Sequence, residues 1–134
     1  MNFHLNQVWL NSSIVLLWWL FGDRRLSEKA AETIKNPDHA ILVSSASAWE
    51  ISTKFRLGKL PQAGEVVGNF PALIRQARLE ELAISVDQAL EAGGLPGPHR
   101  DPFDRMLIAQ ARLEGIPLIS SDPVFKSYSV SIVW

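Results

Sequence analysis

Residues 40–43, Ala-Ile-Leu-Val, are apolar without alternation, and no other feature limits so strongly what the chain can fold into. A strand with one face in water alternates apolar and polar residues, whereas a short run that is apolar throughout must be covered on both sides. Helical patterns flank it. Upstream, Ser27 is placed to cap a helix with Glu28 in its first turn, and Asn36-Pro37 stops that helix. Downstream, Ser44 and Ser45 open a helix that runs to about Leu57 and ends at Gly58. A doubly buried strand between helices predicts an α/β fold with a central parallel sheet covered on both faces.

The rest of the chain reads the same way. Leu5 to Leu10 is a short strand, Asn11-Ser12-Ser13 offers N-cap chemistry, and Ile14 to Phe21 is a buried helix closed by Gly22. Leu60 to Gly68, with Pro61, Gly64 and Gly68, reads as a loop, and Asn69 to Leu79 as a helix with Phe70, Leu73, Ile74 and Ala77 at helical spacing. A strand at Leu82 to Ile84, a helix at Val86 to Ala92 and a loop from Gly93 to Pro98 follow. A helix from Pro102 to about Glu114, stopped by Gly115, precedes strands at Pro117 to Ile119 and Val130 to Val133. The length, 134 residues, suits one domain over 1–134.

Composition excludes several classes. Hydrophobic residues make up 47% and charged residues 20%, as in ordinary globular proteins. The formal net charge of −1 supplies no general basic field, so any nucleic-acid binding needs a local patch. The absence of cysteine rules out disulfides, thiolate zinc sites and cysteine nucleophiles. The longest apolar run, Ile14 to Phe21, is too short to span a bilayer. The first residues lack the positive start and small-residue cleavage pattern of a signal peptide, and the expected location is the cytoplasm.

In parallel sheets ligands bind beyond the carboxyl ends of the strands. There the first strand meets Asn11-Ser12-Ser13, the second meets Ser44-Ser45 with Glu50 on the following helix, and a late strand meets Ser120-Ser121-Asp122. Asp101 and Asp104, three residues apart, share one face at the start of the helix beginning at Pro102. Glu50, Asp101, Asp104 and Asp122 can therefore converge, and clustered carboxylates repel unless a cation sits among them. Hard oxygen ligands select Mg²⁺ or Mn²⁺ over zinc. Each acid also has a plain structural explanation: Asp101 and Asp122 precede prolines as N-caps, Asp104 suits a first helical turn, and Glu50 has Lys54 four residues on.

The motif wording goes further. Ser-Ser-Ala-Ser-Ala-Trp-Glu-Ile (44–51) with Leu-Gly-Lys-Leu (57–60), His-Arg-Asp-Pro-Phe-Asp-Arg-Met-Leu-Ile-Ala-Gln-Ala (99–111) and Glu-Gly-Ile-Pro-Leu-Ile-Ser-Ser-Asp (114–122) closely resemble the PIN-domain toxins of bacterial toxin–antitoxin pairs, the VapC family. Val15 to Ser27 matches as well, and Pro61 to Gln88 is the least diagnostic part. The resemblance implies a PIN-like three-layer α/β/α sandwich, a Mg²⁺ or Mn²⁺ site, endoribonuclease activity, a homodimer and an antitoxin partner that covers the active site. By the same resemblance Glu50, Asp104 and Asp122 match the family's metal-binding acids, with Asp101 supporting, either by orienting Arg105 or through the metal's water shell.

One departure stands out. The family's first strand normally ends in an Asp that binds metal. Counted back without a gap from Leu16-Leu17-Trp18-Trp19, that slot falls on Ser12; with one inserted residue it falls on Asn11. Either residue offers a neutral oxygen in place of a carboxylate, which should weaken metal binding and catalysis. In a working site the metal would activate water for attack on a phosphodiester, with Lys54, Arg100 and Arg105 contacting the RNA backbone. His99 is either a general acid or a surface histidine, and Trp18, Trp19 and Trp49 read as core or dimer-interface residues. The rival reading is a PIN domain that dimerises and binds antitoxin or RNA without cutting. A small-molecule phosphatase ranks behind both, for want of a Gly-rich phosphate loop.

Overall fold

A computed structural model describes residues 7–134. Five strands form one sheet in the order β3-β2-β1-β4-β5: β1 (Val8–Asn11), β2 (Ala40–Ser44), β3 (Glu80–Leu82), β4 (Leu118–Ile119) and β5 (Ile132–Val133). Every pair is parallel, with Leu10 opposite Leu42 on one side and Leu118 on the other. The order runs outward from β1 in both directions, so a topological switch point lies between β1 and β4.

Strand alternation divides the core between the two faces. On β2, Ile41 and Val43 pack against one cluster and Leu42 against the other; on β4, Ile119 and Leu118 divide likewise. The first layer is built from α1 (Ser13–Phe21), α2 (Glu28–Lys35), α3 (Ser45–Arg56), α4 (Gly64–Gly68) and α5 (Phe70–Gln76), which contribute Val15, Leu16, Ile34, Ile51, Val66 and Ile74. The second holds α6 (Val86–Gly94), α7 (Pro102–Glu114) and a 3₁₀ helix at Pro123–Tyr128, with Leu107, Ile108, Phe125 and Tyr128 against Leu10 and Leu118. This is the expected α/β/α sandwich around a parallel sheet. Among the described residues no helix is long and apolar enough to cross a membrane.

Helix ends follow their local chemistry. Gly22 and Gly115 close α1 and α7 in the left-handed region, at φ 63° and 68°, where a Cβ would be strained. Ser12, Ser27, Ser44, Ser85, Asp101 and Asp122 all accept a backbone N–H at the start of the element they precede.

Several expectations need correction. The segment 60–68 is not a loop: a 3₁₀ turn at Pro61–Ala63 leads into α4, because Ala63 and Val66 are buried in the first layer and their packing outweighs the terminal glycines. β3 lies two residues earlier than expected, after a turn in which Arg78 takes φ 60°. α6 continues through Gly94, and β5 is shorter than Val130 to Val133. The 3₁₀ helix at Pro123–Tyr128 was not foreseen beyond its Asp122 cap. Leu5 and Asn6, read as the beginning of the first strand, lie outside the described residues.

The second layer gives a direct test of this packing. Ile108→Ala on α7, fully buried against the sheet, should cost about 2–5 kcal/mol in chemical denaturation. Leu90→Ala on α6, 70% exposed, should stay within about 0.5 kcal/mol of the parent.

Candidate active site

Four separate chain segments deliver polar side chains to the carboxyl edge of the sheet beside the switch point. β1 ends at Asn11, and Ser12 follows with its N–H bonded to the Ile119 carbonyl at 3.2 Å while its Oγ caps α1. β2 ends at Ser44, which caps α3 and so sets the helical phase that turns Glu50 and Lys54 inward. The Ser13 hydroxyl donates to the Ser47 hydroxyl at 2.9 Å, tying α1 to α3. Beyond β4, the Asp122 N–H donates to Ser120 Oγ at 3.0 Å, and Asp122 Oδ1 accepts from the Val124 N–H at 3.0 Å. Asp101 Oδ1 accepts from the N–H groups of Phe103 and Asp104 at 2.9 and 3.1 Å, and Asp104 stands in the first turn of α7.

These segments enclose a depression of about 190 Å³ lined by Ser12, Glu50, Lys54, Asp101, Asp104 and Asp122, with Ser13, Ile14, Ser120 and Phe125 completing its wall. All the carboxylates singled out in the sequence reach it. Ser12 lines it and Asn11 does not: Asn11 is 1% exposed, and neither polar atom of its side chain has a hydrogen-bond partner. A larger cavity of about 650 Å³ lies alongside, between the Pro96–His99 loop and the 3₁₀ helix. It shares His99 with the acidic region but contains none of the acids, so the chemistry points to the smaller cleft.

Electrostatics mark the cleft. The carboxyl of Asp104 is raised above the ordinary carboxylate range, first by burial and further by Asp101 and Glu50; its hydrogen bond from His99 Nε2, at 2.9 Å, acts in the opposite direction. Burial works against the ammonium of Lys54, yet its hydrogen bond to Glu50 and the nearby charges of Glu50, Asp101 and Asp104 raise its pKa overall. Glu50 is only 6% exposed, and its Oε2 accepts from the Lys54 ammonium.

The donor chemistry, carboxylate and hydroxyl oxygen without sulfur, fits a hard divalent cation. The resting arrangement does not present these donors as a ready cage. Among the described residues no three His, Cys, Asp or Glu side chains gather closely enough to hold an ion. Glu50 is taken by Lys54, Asp104 by His99, and one oxygen each of Asp101 and Asp122 by helix N–H groups. An ion entering here has to exchange those partners.

One residue stands differently from its sequence reading. Arg105 does not join the cleft rim. Its guanidinium donates to the carbonyls of Ala92, Leu95 and His99 at 3.0, 2.6 and 3.0 Å, with a longer bond to Gly93, and so pins the loop that carries His99. Asp101 therefore does not orient the Arg105 guanidinium; only its backbone carbonyl meets the Arg105 N–H. Of the two readings of Trp49, core or dimer interface, its 61% exposure excludes the core; it meets Phe103 edge-on at 4.9 Å, whereas Trp18 packs against Trp134 beneath Arg25. Lys54 belongs to the cleft itself, a placement its i,i+4 spacing from Glu50 makes legible. The loop-pinning role of Arg105 has no local sequence signal, because its acceptors are backbone carbonyls.

The fold and its cleft define a class: three-layer α/β/α proteins that gather carboxylates at the switch point of a parallel sheet. The sequence matches the PIN domain family over residues 13–130, and the chain belongs to that family. Solved structures share the fold at low identity. A chain of VapBC2 from Rickettsia felis, bound to a DNA fragment from its promoter, superposes with a TM-score of 0.63 at 14% identity, covering 94% of this chain and 97% of that one. VapC20 from Mycobacterium tuberculosis, a sarcin–ricin loop cleaving toxin, gives 0.62 at 17% identity over 92% and 95%. A chain from a toxin–antitoxin complex of Klebsiella pneumoniae gives 0.59 at 17% over 93% and 95%. No curated protein sequence matches the chain.

The Arg105 clamp is testable. Arg105→Lys keeps the charge but cannot reach several carbonyls with a planar fork. It should lower stability by about 2 kcal/mol. Hydrogen exchange should accelerate across residues 93–99 before the rest of the domain.

Proposed function

We propose that this chain is the toxin of a toxin–antitoxin pair, a VapC-like endoribonuclease that hydrolyses RNA phosphodiesters in the cytoplasm with Mg²⁺ or Mn²⁺. One observation carries the reading: acids from three separate segments, Glu50 on α3, Asp101 and Asp104 on α7 and Asp122 after β4, line one cleft at the sheet's switch point. Membership of the PIN domain family supports it, as does the fold shared with toxin–antitoxin proteins, one of them a sarcin–ricin loop cleaving toxin.

Glu50, Asp104, Asp122 and the Ser12 hydroxyl are the groups that would hold the metal, with Asp101 supporting them from the α7 cap. Bound there, the ion would supply a Lewis acid that acidifies water and neutralises charge on the scissile phosphodiester. The chain's own part is positional. Glu50 sits in the middle of α3, Asp101 and Asp104 at the start of α7 and Asp122 before the 3₁₀ helix, and His99 Nε2 on Asp104 Oδ2 is placed to hold or pass a proton at that oxygen. Arg100, exposed on the segment leading into α7, contacts the RNA backbone. The partners on this reading are RNA, a cognate antitoxin that covers the cleft and a second copy of the chain.

A specific observation favours a second reading, in which the domain binds antitoxin or RNA without cutting: where the cleft meets the first strand, Ser12 supplies a hydroxyl instead of a carboxylate. RNA cleavage with Mn²⁺ separates the two. Activity in the parent that falls to background in Glu50→Gln establishes the nuclease. No cleavage by any variant across varied RNAs, with metal bound, leaves the binding domain.

The two candidates for the first acidic position give opposite expectations. Ser12→Asp keeps an N-cap and adds a carboxylate to the cleft, so cleavage should rise by about ten-fold or more with the fold intact. Asn11→Asp places a charge where no partner exists, and should lower the melting temperature sharply without restoring activity. Circular dichroism melts beside the cleavage assay check both.

A further inference from the structure

We propose that Lys54 is a built-in counter-cation of the acidic cleft, occupying a place among the carboxylates that a divalent ion must contest and thereby setting how weakly the resting protein binds Mg²⁺ or Mn²⁺. This deepens the metal reading above and rests on it.

Lys54 lines the cleft together with Glu50, Asp101, Asp104 and Asp122. It stands one helical turn after Glu50 on the same face of α3, and its ammonium donates to Glu50 Oε2. That carboxylate is 6% exposed, and a charge so deeply buried needs a partner. Just past β1, Ser12 lines the cleft with a neutral hydroxyl, and Lys54 is the one cationic side chain among the described residues that line it. Glu50, the most buried acid of the cleft, is thus already matched by an ammonium.

A rim lysine that waits for RNA phosphate behaves differently. Its removal weakens RNA binding and leaves metal affinity unchanged, whereas removal of a counter-cation strengthens metal binding in the absence of RNA. The sign of the effect distinguishes the two roles.

The experiment is a Mn²⁺ titration of the RNA-free protein, followed by the electron paramagnetic resonance of free Mn²⁺, on the parent, Lys54→Met, Lys54→Gln and Lys54→Arg. Lys54→Met should bind Mn²⁺ about ten-fold tighter, the order expected when a unit positive charge leaves a partly buried cation site. Lys54→Gln, which can still donate a hydrogen bond to Glu50, should show the same direction and stands in if Lys54→Met fails to fold. Lys54→Arg should retain the parent affinity. In a thermal melt, Mn²⁺ should raise the melting temperature of Lys54→Met by more than that of the parent, because the ion then replaces the missing charge beside Glu50. Tight binding by the parent that neither neutral variant improves overturns the counter-cation and leaves the metal reading standing. No Mn²⁺ binding by the parent or by either neutral variant overturns both.

Discussion

Carboxylates brought together at the end of a buried sheet repel one another, and loss of hydration amplifies that repulsion. The raised pKa of Asp104 expresses both effects, since burial and the charges of Asp101 and Glu50 all favour its neutral form. A chain that builds such a cleft must also supply hydrogen-bond donors to it. Lys54 sits on Glu50, His99 sits on Asp104, and backbone N–H groups at helix starts take one oxygen each from Asp101 and Asp122. Each of the four carboxylates thus has at least one oxygen held by a donor of the protein's own.

The same residues that build the fold also place the site. In a parallel sheet every strand end is followed by a chain reversal into a helix, so N-caps and strand ends are neighbours. Ser12, Ser44, Asp101 and Asp122 each satisfy orphan N–H groups, and each cap sets the phase of the side chains that follow. Helix-start chemistry and cleft chemistry are therefore not alternatives at Asp101 and Asp122. One carboxylate oxygen caps while the residue as a whole lines the depression. Arg105 completes the frame from the opposite direction by pinning the loop from which His99 reaches Asp104.

What could be read from the sequence was whatever rests on local chemistry. The unalternating run at 40–43, the capped starts of α2, α3 and α7, and the glycine stops at 22 and 115 all lie where propensity and tertiary burial agree. The stretch from Pro61 to Gly68 misled because its glycines and proline signal a loop, while Ala63 and Val66 are held by contacts with elements distant in sequence. β3 was displaced for a related reason: it is an edge strand bearing exposed Glu80 and Glu81, so hydrophobic periodicity does not fix its position. In the site, the acids were legible because motif spacing and strand ends coincide. The carbonyl clamp of Arg105 was not, since side-chain identity carries no information about backbone acceptors.

The first strand shows how backbone position alone decides which residue can carry charge. Along β1, Trp9 packs on the first layer and Leu10 on the second, and Asn11 remains within the sheet beside Ile119, closed off from solvent. An acid at that point would be desolvated without a donor to meet it. One residue on, Ser12 has left the ladder: its backbone is extended at φ −73° and ψ 162°, its side chain faces the first N–H groups of α1, and it borders the cleft. A carboxylate there would have helix N–H groups on one side and any bound cation on the other, an environment that favours the charged form. Of the two positions, 12 is the one where an added carboxylate would border the cleft. The hydroxyl it bears leaves Glu50, Asp101, Asp104 and Asp122 as the carboxylates of the cleft.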